Sequence, residues 1–156
     1  MKYWLMKSEP DEFSVHHLEK RPKQTEPWTG VRNYQARNHI QSMRTGDGVL
    51  FHHSSVTPAG IAGLAEIISD PFPDPTALDP KSDYFDSRST AKGENPWRAV
   101  NVRFVSAFPR LLTMEEMRNI PGLESMMVLR KGMRLSVQPV TPSEYRIVSL
   151  WGRKLK

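Results

Sequence analysis

Three strand-like stretches, Val49–Ser54, Ile61–Ile68 and Trp97–Ser106, follow one another along the chain with no helical period between them. Parallel neighbours need a crossover long enough for a helix, whereas antiparallel neighbours need only a turn. This order therefore predicts antiparallel pairing and a small, curled or barrel-like sheet. The third stretch alternates most cleanly. Val100, Val102 and Phe104 point one way, and Ala99, Asn101, Arg103 and Val105 the other. Lys2–Lys7 and Met133–Val140 alternate in the same manner and add a first and a closing strand. Gly63, inside the second strand, marks a bulge or a close backbone approach.

Helix signals fall around these strands. Ser8 or Asp11 can cap a first helix with acidic residues in its opening turn, burying Phe13, His17 and Leu18. Thr113 with Glu116 forms a capping box for a short helix ending before Pro121-Gly122. Thr141-Pro142-Ser143-Glu144 opens a last helix that runs to about Leu150 and stops at Gly152. Lys20–Pro27 reads as an exposed loop and Thr45–Gly48 as a tight turn. Asp70–Pro80 holds four prolines and can be neither a central strand nor a helix. Lys81–Pro96 is polar as well, with Tyr84-Phe85 as an aromatic island. So long an excursion is unusual in a compact domain and is often functional or disordered.

The stretch Trp28–Arg44 is the most informative for function. An isolated Trp28 precedes Gly30, and a polar run rich in amides, guanidinium groups and a phenol follows. From Asn33 the period becomes helical, with Ala36, Ile40 and Met43 on one face and Tyr34, Arg37, Gln41 and Arg44 on another. Asn33 can cap that helix and leave backbone N–H groups of its first turn facing a ligand. A ring, polar readers such as Asn33 and Gln35, and cations suit a nucleobase, which stacks, is read at its edges and carries phosphate. By pattern alone Trp28 has two readings, a core residue or the wall of a hollow. Arg32 is the phosphate candidate, while Arg37 and Arg44 default to a solvated helix face. Trp97 suits either packing or a cavity rim. His53-Ser54, at a strand end, either reaches into a barrel mouth or is ordinary half-buried structure.

At 156 residues one domain over 1–156 is expected, with a real core. Lys and Arg number 22 against 17 Asp and Glu, giving +5 and a pI near 9.6. A basic balance favours an anionic partner, nucleic acid first. The absence of cysteine removes disulfides, thiol catalysis and Cys-based zinc. The opening residues turn polar too soon for a signal peptide, and no apolar run has a membrane-span length, so a cytoplasmic monomer is expected. The adjacent pairs His16-His17 and His52-His53 diverge in direction and make no metal site. No metal-helix, nucleophile-elbow or phosphate-loop motif is present, and no cofactor is implied.

In these motifs the chain resembles the EVE domain family. The resemblance rests on Trp4-Leu5-Met6-Lys7-Ser8-Glu9-Pro10, on Trp28-x-Gly30-Val31-Arg32-Asn33-Tyr34-Gln35-Ala36-Arg37-Asn38 and on Phe51-His52-His53-Ser54. Gly60-Ile61-Ala62-Gly63, Trp97 with Val100 and Val102, and Arg134-x-Ser136-Val137-Gln138-Pro139-Val140 extend it over essentially the whole chain. Eukaryotic thymocyte nuclear proteins carry the same domain, and this chain resembles a free-standing bacterial version. The resemblance implies an α+β, PUA-like small β-barrel, mixed but mostly antiparallel, with peripheral short helices. It implies a non-catalytic module that recognises a modified base in DNA or RNA, as the related YTH domains do. By that analogy Lys7 and Ser8 form a pocket wall, Trp28 supplies the ring, Asn33 reads a base edge, and Val31, Arg32, Tyr34, His53 and Ser54 complete the site. Gln35, Arg37, Tyr84 and Trp97 are further candidates for the same site. The family often has Tyr where this chain has His52, so a second aromatic wall must come from elsewhere, Tyr84 or Trp97. Two other classes stay open. One is an enzyme acting on a nucleotide or base, using His53 with Glu9 or Asp86. The other is a pocket for a small anionic metabolite.

Overall fold

The computed structural model describes residues 1–156. The chain runs β1 (Tyr3–Ser8), α1 (Val15–Lys20), β2 (Thr25–Trp28), α2 (Tyr34–Gln41), β3 (Gly48–His53), β4 (Gly60–Ile67), β5 (Phe72–Pro73), α3 (Ser87–Lys92), β6 (Arg98–Thr113), α4 (Met114–Arg118), β7 (Val137–Val140) and α5 (Pro142–Arg153). The sheet order is β2-β6-β4-β3-β1-β7, with β5 also on β6. Every pair is antiparallel except β1 with β3. This is the α+β, mostly antiparallel class that the strand succession predicts.

Curvature follows from the contacts. Helix α2 packs on both β6 and β7, which lie near opposite ends of the strand order. A flat sheet could not present both to one eight-residue helix, so the sheet curls around a core. Bulges at Ile61/Gly63 and Leu64/Ala65 supply the bend. Gly63 sits there because a Cβ would meet the Ser106 carbonyl oxygen. One buried cluster, including Trp4, Met6, Phe51 and Ile40, lies inside the curl against α1 and α2. A second, including Leu5, Leu50, Leu112 and Val148, lies on the other face against α4 and α5.

Several element boundaries differ from the sequence expectations, each for a physical reason. Residues Thr25–Trp28 are an edge strand rather than a loop. Pro27 is tolerated there because one side of an edge strand needs no N–H. The cap of α1 is Ser14, not Ser8 or Asp11. The Ser14 side chain accepts from His17 N, and the His17 ring accepts from the Ser14 backbone. His17 is therefore exposed and Val15 and Leu18 are the buried pair, while Phe13 is only half-buried. Strand β6 continues to Thr113, since beyond Ser106 its pairing with β4 persists. The closing strand starts at Val137; residues 133–136 lie outside it, although the Ser136 carbonyl still accepts from Lys7 N at 2.8 Å. The excursion holds α3, whose sequence SRSTAK shows no apolar stripe but is capped by the Asp86 carboxylate. Finally, α5 runs through Gly152, where a Cβ would strike the Phe108 ring. That glycine is a contact, not a stop.

Candidate base-binding hollow

A hollow of about 1000 Å³ opens where the ends of β1, β2 and β3 meet the start of α2. The sequence builds it from four segments that a linear reading keeps apart. The tail of β1 brings Lys7 and Ser8. The turn after β2 brings Trp28, Gly30 and Val31. The α2 cap brings Asn33, and the excursion brings Tyr84.

Trp28 satisfies both readings. It is 8% exposed and belongs to the inner core cluster, yet it lines the hollow. Its ring meets Phe51 edge-on at 5.4 Å and Phe13 at 6.3 Å. Trp4 and Trp97 donate their indole N–H to the carboxylates of Asp47 and Asp86. The Trp28 indole N–H has no such partner in the protein. Phe13 also lines the hollow, held by Ser8, whose hydroxyl donates to the Phe13 carbonyl at 2.6 Å.

Tyr84 lines the hollow as well. Gly30 adopts φ +85°, and a Cβ there would stand 2.8 Å from the Tyr84 ring. The glycine is thus required twice, for a left-handed backbone and for the tyrosine's close approach. The Tyr84 hydroxyl is pushed up in pKa by burial and by the carboxylates of Glu12, Asp83 and Glu9.

Arg32 does not serve as the free phosphate contact expected of it. Its Nε and Nη2 donate to the Tyr84 carbonyl, Nη1 to Val31 O and Asp74 Oδ2, and Nη2 also to Thr76 Oγ1. Five N–H groups meet five contacts, so the guanidinium is a brace. Its partner Asp74 is fully buried and also accepts from Gly30 N and Thr76 N. Those hydrogen bonds outweigh burial and hold its carboxyl below the usual range. Nothing in the proline-rich sequence singles out Asp74, because its partners are 42 and 44 residues away.

The cations that do face the hollow without a partner are Lys7 and Arg134. Burial lowers the Lys7 ammonium from its ordinary pKa. Arg134 is visible in the sequence only as part of a motif before the closing strand. Asn33 stands at the mouth with its Oδ1 committed to capping Ala36 N at 3.0 Å, which leaves its NH₂ group as the side-chain donor. Ser54 lines the hollow too, while Ser54 N pairs with Ser8 O.

Other expected residues fall elsewhere. The buried His53 lies behind the hollow, and its Nε2 accepts from Val15 N at 3.1 Å. Burial, with the His16 and His17 charges, lowers its pKa to about 4. It pairs with neither Glu9 nor Asp86, so the acid–base pair considered for an enzyme is not formed. Asp86 instead accepts from Trp97, Ser89 and Arg88. The rings of Tyr34 and Trp97, tilted by 31° with centroids 4.7 Å apart, lie in a neighbouring hollow. Gln35 is exposed and lines neither hollow, and Arg37 reaches back to the Pro96 carbonyl at 2.9 Å.

Residues 2–150 match the EVE domain family. Human thymocyte nuclear protein 1 is 38% identical over 94% of this chain and 72% of its own length. A Pseudomonas syringae protein of known crystal structure is 44% identical, with a TM-score of 0.89 over 96% of this chain and 98% of its own. Human THYN1, solved in complex with DNA containing 5-methylcytosine, is 35% identical with a TM-score of 0.87 over 100% of both chains.

Proposed function

Since the chain belongs to the EVE domain family, we propose that it is a non-catalytic reader of a modified base in nucleic acid, with modified cytosine in DNA as the first candidate. One observation carries the reading. A roomy hollow is lined by the aromatic side chains of Trp28, Tyr84 and Phe13 and by two unpaired cations, Lys7 and Arg134. The relation to human THYN1, which is solved with 5-methylcytosine DNA, supplies the chemical class.

The base enters between Trp28 and Tyr84. Stacking of this kind contributes on the order of 1–3 kcal/mol. A buried methyl adds only about 0.8 kcal/mol, so the modification is read mainly by shape and by polar groups that the wrong base leaves unpaired. The Asn33 NH₂ donates to an acceptor on the base edge, Ser54 offers a hydroxyl beside it, and Ser8 Oγ, whose proton goes to the Phe13 carbonyl, accepts only. Extruding a base from a duplex costs a few kcal/mol, so single-stranded or damaged sites bind more readily. Lys7 and Arg134 meet the flanking phosphates.

The test is fluorescence anisotropy with single-stranded oligonucleotides carrying one 5-methylcytosine, cytosine or thymine, in DNA and in RNA. Because Trp28 also belongs to the core, Trp28→Leu is the better variant. It keeps apolar contact with Phe51 but offers no flat π face. Binding that prefers the modified base and is lost in folded Trp28→Leu supports the reading. Equal binding by wild type and folded Trp28→Leu contradicts it.

A further inference from the structure

A second hollow, of about 690 Å³, adjoins the first and shares with it only Arg32 and Tyr84. Those two residues are the wall common to both hollows. On its far side stands Tyr34, a large aromatic that is 57% exposed. Its ring is backed by Trp97 at 4.7 Å, and the Arg37 guanidinium lies 5.1 Å from the ring centroid. Trp97 is itself pinned through its indole N–H to Asp86 at 2.7 Å. Tyr34 is therefore a rigid platform facing solvent, and ordering it on binding costs little.

We propose that this second hollow is the subsite for the nucleotide adjoining the recognised one in the same strand, whose base stacks on Tyr34. The proposal rests on the reading of the first hollow as a base pocket. The shared wall sets the geometry, since successive bases of an unstacked strand lie on either side of the Arg32–Tyr84 partition. The rim charges set the chemistry. Arg88 and Lys92, one turn apart on the exposed side of α3, have no carboxylate partner. Asp83 and Glu94 balance them on the same rim. Asp86 is occupied by Trp97 and Ser89, and Arg32 by its brace. Stacking rather than net charge therefore carries the affinity, and the subsite tolerates any base.

The experiment compares 5-methyl-2′-deoxycytidine with a single-stranded hexamer containing one 5-methylcytosine, each titrated into wild type, Tyr34→Ala, Tyr34→Phe and Trp28→Leu. Tyr34→Ala is expected to weaken the hexamer about tenfold and leave the nucleoside unchanged. Tyr34→Phe keeps the flat face and restores hexamer affinity, which a merely structural role for the hydroxyl would not allow. Trp28→Leu loses both ligands. Full hexamer affinity in Tyr34→Ala, with loss in Trp28→Leu, overturns the subsite alone. Failure of wild type to bind either ligand overturns the base pocket and the subsite together.

Discussion

At the scale of single residues, side chains that look interchangeable in the sequence have opposite jobs. Arg32 and Arg134 are both arginines beside an aromatic-lined hollow. One has all its donors consumed, while the other has no partner. Arg32→Lys keeps the charge but loses the fork, so it should lower thermal stability as well as binding. Arg134→Ala should weaken oligonucleotide binding while the melting temperature stays within a degree or two. Equal melting temperatures for wild type and Arg32→Lys would contradict the brace. Gly30 gives a second test. Alanine there meets both the positive φ and the Tyr84 ring. Gly30→Ala should cost roughly 1–3 kcal/mol of stability in denaturant titration and weaken base binding. Unchanged values of both would remove Tyr84 from the wall.

At the scale of elements, β3 carries a pH dependence. His52 and His53 are both buried in it, and burial is the first cause that lowers each to about 4. Neither ring nitrogen of His52 has a partner. Unfolded, both titrate near 6.5, so between pH 6.5 and 4 the unfolded chain binds more protons than the folded one. Stability is complete above about pH 6.5 and falls as pH drops toward 4, by on the order of 3 kcal/mol per histidine. Urea titrations across that range should show the slope, and His52→Leu should remove about half of it. A flat profile would mean that one or both rings find a partner when charged. The excursion is the other element that matters. Its anchoring to the site was not legible in the sequence, because Pro71, Pro73, Pro75 and Pro80 signal only what it cannot be. What fixes it is Asp74, through contacts more than 40 residues distant. Asp74→Ala removes the one carboxylate among the five contacts of Arg32 and should cost about 3–5 kcal/mol, with new proteolytic cleavage between residues 79 and 95.

At the scale of the whole molecule, the fold was largely readable and the site half so. Alternation in Trp97–Ser106 and the close succession of strands pointed to the antiparallel sheet, because period-2 burial is a local signal, although α3 stands between β4 and β6 where no helix was expected. The edge strand Thr25–Trp28 was hidden by Pro27, a residue that argues against strands except at an edge. The motif Trp28–Asn38 marked the hollow, since ring, glycine and cap are close in sequence. Phe13, Tyr84 and Arg134 join only through tertiary approach, and Arg134 stood out in the sequence only as part of the motif before the closing strand. Net charge acts at this scale too. With +5 overall and two unpaired cations at the hollow, log affinity for single-stranded DNA should fall with log salt at a slope of about −1 to −3. A slope of zero would leave no phosphate contacts in the complex.

The most direct measurement follows the four indole N–H resonances of the protein by heteronuclear NMR while a 5-methylcytosine hexamer is added. Trp4 and Trp97 are hydrogen-bonded to buried or occupied carboxylates, and Trp151 lies on the outer helix α5. The Trp28 resonance should shift most, saturating with the same affinity that anisotropy reports. Saturable binding that moves Trp151 or Trp4 and leaves Trp28 in place would show that the ligand sits elsewhere.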